Sequence, residues 1–100
     1  MGASGMNMGK VVGTVVATRK ESSMDGLKLM LVKYVDSKGK ETGGNVVAVD
    51  SVGAGIDELV LVATGSSARQ TTATDIRPCD AVIMAIVDSW DIDGSIKYKK

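Results

Sequence analysis

Apolar, β-branched runs alternate along this chain with short polar stretches that carry glycine and aspartate. In one run the leucines recur at every other position, at 27, 29 and 31, which is the period of a strand. Valine dominates the other runs, and β-branched residues favour strands. The pattern predicts five strands, over residues 10–19, 27–35, 45–50, 59–64 and 81–92. The pair Asp93-Gly94 predicts a tight hairpin turn into a short sixth strand over residues 95–99.

The connections between these runs are polar and mostly short. Glycine, serine and aspartate mark turns at residues 21–26, 36–44 and 51–58. Residues 66–76 are small and polar, with room for one helical turn, and Pro78 closes that segment. No stretch shows the period of an amphipathic helix. The predicted fold is therefore all-β, a small five-stranded OB-like barrel with short polar loops and at most one helical turn.

Several of the predicted strands are apolar on both faces. A barrel buries only the inner face of each strand, and an antiparallel sheet with a wet outer face should alternate apolar and polar residues. The fifth strand instead places apolar side chains on both sides, with Ile83, Ala85 and Val87 on one and Val82, Met84 and Ile86 on the other. We expect a neighbouring subunit to cover the second face.

The composition narrows the possible partners. The 12 basic and 12 acidic side chains cancel, which removes the long-range field that draws a protein to nucleic acid or to an anionic membrane. Only three residues are aromatic, too few for the stacking platforms typical of single-strand binding. The longest apolar run, residues 81–87, is far shorter than the ~20 residues that cross a bilayer. Neither nucleic acid nor a membrane is an expected partner.

The ends and the single cysteine suggest a cytosolic protein. Cys79 has no second cysteine with which to form an internal disulfide, and the start lacks the charged and then apolar run of a signal peptide. Residues 1–7 are predicted to be a disordered start, or a remnant of an expression vector in the case of MGASG at residues 1–5. Residues 8–100 are predicted to form one domain, as the length of 100 residues allows.

Catalytic groups are sparse. The absence of histidine excludes Ser-His and Cys-His nucleophile pairs and metal sites with histidine ligands. Most of the aspartates border turns, where aspartate is expected for local hydrogen bonding. Cys79 has only Arg77 near it in sequence to activate a thiolate. The chain is predicted not to be an enzyme, with no cofactor and no metal.

Two short motifs resemble ligand-binding loops but lack residues that those loops require. Residues 91–94 read Asp-Ile-Asp-Gly, but the matching calcium loop would place Lys100 where a glutamate is obligatory. Gly53-Ala54-Gly55 could open a dinucleotide fingerprint, but Glu58 occupies the place of the third glycine and no helix follows. We interpret both as turns.

Five motifs in order carry a resemblance to a known family. They are GKVVGTVVAT at residues 9–18, DGLKL at 25–29, DSVGAG at 50–55, GSSAR at 65–69 and IVD at 86–88. Together they closely resemble the bacterial microcompartment vertex proteins of the EutN/CcmL family, and the match runs from Met8 to about Lys100. The sequence departs from the family at Asp57, where a glycine is common, at Cys79, where a small aliphatic residue is usual, and at Trp90, which is unusually large.

The resemblance implies a structural role. It implies an OB-like barrel that assembles as a cyclic homopentamer and occupies the five-fold corners of a shell otherwise tiled by hexameric proteins, in the bacterial cytoplasm. The alternative left open is an OB-like barrel that binds a small ligand or single-stranded nucleic acid.

Two loops are the candidate sites. The first is predicted to lie at the pore or between subunits because its glycines permit close backbone approach; it comprises Val52, Gly53, Ala54, Gly55, Ile56 and Asp57. An equal alternative is that these glycines only allow a tight turn. The second loop is predicted to contact other shell proteins through a fixed positive charge, and comprises Gly65, Ser66, Ser67, Ala68 and Arg69. Its alternative is that Arg69 is solvated or pairs with a carboxylate such as Asp80 within the ring.

Overall fold

Five strands close into a barrel, and two more form a separate hairpin. The computed structural model describes residues 5–17, 26–65 and 81–100. The strands of the barrel are β1 (Gly5–Val15), β2 (Leu29–Val35), β3 (Glu41–Asp50), β4 (Leu59–Thr64) and β5 (Ala81–Ile86), and those of the hairpin are β6 (Ser89–Ile92) and β7 (Ser95–Lys99). The order around the barrel is β1-β2-β3-β5-β4. The predicted small five-stranded barrel is confirmed; residues 66–76, where one helical turn had room, lie outside the described residues.

The long strand β1 closes the barrel by pairing with two neighbours. Its second half is antiparallel to β2 and its first half is antiparallel to β4. The register with β2 shifts between Val11 and Gly13, which is a β-bulge. In the sequence, Gly13 is the one gap in a β-branched run, which predicts a bend or a close backbone approach there. The bulge confirms the bend. The only parallel pairing in the described barrel joins β3 to β5, over two residue pairs.

The start of β1 differs from the prediction. β1 begins at Gly5 instead of residue 10, and Gly5, Met6 and Asn7 pair with Thr64, Ala63 and Val62 of β4. The structure thus places residues 5–7 in a paired strand, where the sequence predicted a disordered start, while residues 1–4 lie outside the described residues. Glycine and asparagine are depleted in strands, so pairing with a distant strand decides the conformation of residues 5–7.

The strand β3 also begins earlier than predicted, at Glu41 instead of residue 45. The loop before it shrinks to residues 36–40, where Asp36 Oδ1 accepts hydrogen bonds from the backbone N–H groups of Lys38 (2.8 Å) and Lys40 (3.0 Å). Both hydrogen bonds lower the pKa of Asp36, and the one from Lys40 has the larger effect. A side chain that binds its own following backbone makes the short loop sufficient.

The predicted strand over residues 81–92 is two strands. β5 ends at Ile86, Val87 N–H still donates to Leu59 C=O of β4 (2.8 Å), and β6 begins at Ser89. The predicted hairpin turn is confirmed: Asp93 and Gly94 both have positive φ, at 50° and 82°, and Ile92 pairs with Ser95. Positive φ at both central residues is the geometry of the turn that best matches strand twist.

Two separate apolar clusters lie on the two sides of the barrel wall. The inner cluster contains Val11, Met30, Val32, Ala48, Ala54, Val60, Val62, Ala81 and Ile83. The outer cluster contains Val49, Ala63 and Val82, with Leu27 and Leu29 packed against it. Both faces of β5 are apolar, as expected, but the expected cover by a neighbouring subunit is wrong for Val82, which is 0% exposed within one chain.

The outer cluster continues to an exposed edge. Direct pairing places Met6 beside Ala63, Ala63 beside Val82, and Val82 beside Val49. Paired residues project to the same side of a sheet, so these four form one apolar row. Met6, at the end of the row, is 54% exposed. In the part of the chain that the structure describes, no helix is long and apolar enough to cross a membrane.

Candidate functional site

Asp50, the last residue of β3, fixes the start of the first candidate loop. Its Oδ1 accepts hydrogen bonds from three successive backbone N–H groups, those of Val52 (3.0 Å), Gly53 (3.0 Å) and Ala54 (3.2 Å). The Asp50 side chain is 1% exposed, and its Oδ2 lies 3.6 Å from the ammonium of Lys28. No hydrogen bond reaches that buried Oδ2 from the described residues. The loop therefore takes its shape from a buried carboxylate.

Glu58 holds the other end of the loop. Its Oε1 accepts a hydrogen bond from Gly55 N–H (2.5 Å), and its Oε2 accepts one from Lys100 Nζ (2.7 Å). The hydrogen bond from Lys100 lowers the pKa of Glu58 most, and the hydrogen bond from Gly55 N–H lowers it further. Partial burial opposes this shift. Glu58 in turn raises the pKa of Lys100. Both groups are charged at neutral pH, so the last residue of the chain is tied to this loop by an ion pair.

The backbone of the loop is also attached to β1. Asp57 N–H donates to Val11 C=O (2.7 Å), and Val11 N–H donates to Glu58 C=O (3.0 Å). Asp57 has a φ of 70° and Gly53 a φ of 79°, both in the left-handed region. The turn therefore requires glycine or a tolerant residue at these positions, which supports the tight-turn interpretation of Gly53.

The loop side chains divide between the core and the surface. Ala54 is 1% exposed and belongs to the inner cluster, so it is not available to a neighbouring chain. Val52 is 40% exposed and Ile56 is 52% exposed. The loop thus presents two apolar side chains and the Asp57 carboxylate outward, on a backbone held at both ends.

The second candidate loop is described only at its first residue. Gly65 follows β4 with a φ of 64° and is half-buried. Ser66, Ser67, Ala68 and Arg69 lie outside the described residues, as do Arg77, Cys79 and Asp80. The shell-contact prediction for this loop is untested.

The hairpin of β6 and β7 carries an arrangement that sequence reasoning missed. Trp90 stacks on Tyr98 with ring centroids 5.0 Å apart and planes 19° from parallel. The indole Nε1–H of Trp90 donates to Ser37 C=O at 2.8 Å, which attaches the hairpin to the 36–40 loop. The turn at Asp93-Gly94 predicts the hairpin but not this ring pair. A regular register would place Trp90 opposite Lys97, and the bulge after Trp90 places it opposite Tyr98 instead.

A groove of about 290 Å³ lies between this hairpin and the barrel. Its lining combines the stacked rings of Trp90 and Tyr98 with charged residues, namely Lys10, Lys38, Lys97 and Asp57. Lys10 Nζ lies 3.8 Å from Asp57 Oδ1. The groove therefore joins the first candidate loop, through Asp57, to the hairpin.

Among residues 5–17, 26–65 and 81–100, no group of three or more Cys, Asp or Glu side chains is placed to hold a metal ion. The carboxylates of Asp50 and Glu58 accept the backbone hydrogen bonds that hold the 52–57 loop. The site offers shaped backbone, exposed apolar side chains and ammonium groups.

Comparison with known proteins identifies the family. The family model described as ethanolamine utilisation protein EutN/carboxysome matches residues 6–88. The carboxysome shell vertex protein CcmL of Gloeobacter violaceus is 44% identical over 95% of this chain and 95% of its own. Its solved structure superposes with a TM-score of 0.90, over 94% of this chain and 97% of that one. The GrpN pentameric microcompartment shell protein from Rhodospirillum rubrum superposes with a TM-score of 0.79 at 43% identity, over 86% of this chain and 98% of that one. The chain belongs to the EutN/CcmL family.

Proposed function

We propose that this chain forms pentamers that occupy the five-fold vertices of a bacterial microcompartment shell. The observation that carries the proposal is the match of the closed barrel to a pentameric shell protein over 98% of that protein's length. The names of the relatives favour this role over the alternative of a barrel that binds a small ligand or single-stranded nucleic acid, and over an enzymatic role.

The role is geometric. A flat sheet of six-fold units cannot close, and five-fold units at some positions supply the missing curvature. A five-membered ring is a closed heterologous assembly, in which one patch of each chain meets a different patch of the next. The exposed apolar side chains supply surface for such contacts, among them Met6 at the end of the outer row and Met84, which is 39% exposed.

The pentamer itself is tested by light scattering. The purified chain should have a mass five times that of the 10.4 kDa monomer at micromolar concentration. A monomeric mass at that concentration would contradict the proposal.

The proposed partners are hexameric shell proteins. A strain that lacks this chain and every other vertex protein should keep its enclosed enzymes active but form open, elongated or leaky shells, because enzyme folding does not depend on corner closure. Closed shells of normal shape in that strain would rule the role out.

The proposed location is the shell within the bacterial cytoplasm. Shells purified from a native host should contain the chain at the low copy number expected of corners, and antibody labelling should place it on the shells. Recovery only in the soluble fraction or at the envelope would contradict this location.

Within the pentamer, we assign the 52–57 loop to the pore or to the contact between subunits. The exposed Val52 and Ile56 side chains and the fixed backbone support this assignment. Ile56→Asp should weaken the pentamer, because it places a charge in an apolar contact. Ile96→Asp is the matched control, since Ile96 is 64% exposed on the hairpin. Equal behaviour of the two variants would remove the loop from the contact.

For the 65–69 loop we propose a contact with the neighbouring hexamers through Arg69. Truncating a buried, hydrogen-bonded charge at an interface costs roughly 2 to 5 kcal/mol, whereas a rim charge costs little. Arg69→Ala should keep the pentamer by light scattering and reduce its incorporation into shells formed with hexamers. Normal incorporation removes the docking role, and loss of the pentamer moves Arg69 to the internal interface.

A further inference from the structure

The groove beside the hairpin is the strongest concentration of unused binding groups in the described structure. It lies between the barrel and the hairpin and measures about 290 Å³. This volume is near the lower limit of roughly 300 Å³ for small-molecule sites. Its base includes Leu59, which is only 7% exposed, and its walls carry the ring pair and the charged residues.

The charge of the groove favours an anion. Three of its lining residues are lysines and one is an aspartate, which gives a formal charge of +3 − 1 = +2 in a chain of net charge +0. Asp57 lies near only one of the three, Lys10, at 3.8 Å. Lys38 and Lys97 form no ion pair with the described residues. Both ammonium groups can therefore reach a bound ligand, and Lys38 also interacts electrostatically with the nearby Asp36 carboxylate.

The aromatic pair favours a ligand with a flat body. The one N–H of the Trp90 ring is already committed to Ser37 C=O, so the ring contributes contact area instead of a hydrogen bond. The offset stack with Tyr98 holds the indole in a fixed orientation. A planar group can lie against such a platform while its charged end reaches the lysines.

We propose that this groove binds a small organic anion that combines a flat ring with a phosphate group, of the size of a nucleoside monophosphate. The phosphate lies among Lys10, Lys38 and Lys97, and the ring packs against Trp90 and Tyr98. A protein segment with acidic side chains would satisfy the lysines, but the small volume of the groove favours a single compact ligand. This site is additional to the role in shell assembly and does not depend on it.

The ligand is testable because Trp90 is the only tryptophan of the chain. Its fluorescence should be quenched saturably when adenosine monophosphate is titrated into the assembled protein. Adenosine and inorganic phosphate should each bind at least about tenfold more weakly, because each lacks one half of the recognised group. Added salt should weaken binding of the monophosphate, since exposed charges are screened.

Two double variants separate the groove from general surface charge. Lys38→Met with Lys97→Met should weaken binding about tenfold, because each removes one partly exposed charge contact. Lys40→Met with Lys99→Met is the control, since these lysines lie in the same loop and on the same strand but do not line the groove. Tyr98→Leu should also weaken binding and leaves the reporter in place.

The outcomes are distinct from those that test assembly. Light scattering on the same samples shows whether the protein is pentameric. Absence of saturable quenching in the assembled protein overturns the site, as does an equal loss of affinity in the control double variant. Tighter binding of a glutamate-rich peptide than of adenosine monophosphate would also overturn it and reassign the groove to a protein partner.

Discussion

Single residues set the shape of the first candidate loop. Asp57 stands where the resemblance to the family leads us to expect a glycine, and its φ of 70° agrees with that expectation. Aspartate visits the left-handed region more readily than most residues, because its short polar side chain can hydrogen-bond locally. The departure from the family pattern at this position therefore keeps the turn.

Asp57→Val tests how much the positive φ at this position destabilises an unsuited residue. A β-branched residue with positive φ is a severe outlier, so the free energy of unfolding should fall by about 1–2 kcal/mol. Asp57→Asn is the control and should change it by less than ~0.5 kcal/mol, since asparagine tolerates the same backbone and the exposed Lys10 pair contributes little. Urea unfolding followed by Trp90 fluorescence measures both. Equal stability of the two variants would show that φ at this position is relaxed.

Close packing of β1 on β2 depends on a different glycine from the one that the sequence singled out. A Cβ at Gly9 would overlap the Val32 Cγ1 methyl and come within 3.1 Å of Lys33 O, whereas a Cβ at Gly13 would meet nothing within 4 Å. Gly9→Ala should therefore lower the free energy of unfolding by about 1–3 kcal/mol. Gly13→Ala should be tolerated, with a change near zero in the same urea assay. A reversed order of the two variants would contradict this geometry.

At the scale of elements, the sequence predicted the strands whose bounds depend on neighbouring residues in the chain. β4 and β7 were predicted at their observed bounds, because a compact apolar run and an Asp-Gly turn are local signals. The early starts of β1 and β3 were missed, since their polar and glycine residues become strands only by pairing with partners elsewhere in the chain. The division of residues 81–92 was missed because only Asp88 and Ser89 interrupt the strand-forming residues before Trp90, while the pairing partner changes from β4 to β7.

The candidate sites show the same division. The glycines predicted the turn residues of the 52–57 loop. The roles of Asp50 and Glu58 were not predicted, because the sequence does not show which N–H groups donate to a carboxylate beside a turn. The groove was missed entirely. It brings together residues from β1, the 36–40 loop, the 51–58 loop and the hairpin, and their proximity follows only from the closed barrel.

The hairpin and the 51–58 loop are coupled by a pH-dependent contact. Lys100 and Gly55 lower the pKa of Glu58 below its ordinary value of 4.5. A lowered folded-state pKa contributes stability above the unfolded value, and that stability is lost as pH falls through the folded value. Glu58→Gln should therefore be less stable than the wild type at neutral pH, and the difference should close as pH falls from 4.5 through the lowered pKa.

Urea unfolding at a series of pH values measures this difference. Glu41→Gln is the control, since Glu41 is 52% exposed and lies 3.6 Å from Lys33, so its removal should have little effect at any pH. A constant gap between Glu58→Gln and the wild type down to strongly acidic pH would show that the contribution of Glu58 is not its charge.

At the scale of the whole molecule, the chain consists of a closed barrel and an attached hairpin. The family model ends at residue 88, next to the end of the barrel, and the GrpN structure covers only 86% of this chain. In the described structure, no backbone hydrogen bond joins the hairpin to the barrel. Side chains make the attachment, through Trp90 to Ser37 and Lys100 to Glu58. Closure of the barrel and binding in the groove are thus separable properties.

A chain that ends at Asp88 should keep the barrel and lose the groove. It retains all five barrel strands and the bond from Val87 N–H to Leu59 C=O, which follows β5. We expect a β-sheet circular dichroism spectrum, the pentameric mass by light scattering, and a loss of about 1–2 kcal/mol in the free energy of unfolding from the missing indole contact and its hydrogen bond. Calorimetric titration with adenosine monophosphate should detect no binding, because two of the three lysines remain but the aromatic platform is gone. A monomeric but folded product would place the hairpin in the contact between subunits, and an unfolded product would show that the barrel needs it for stability.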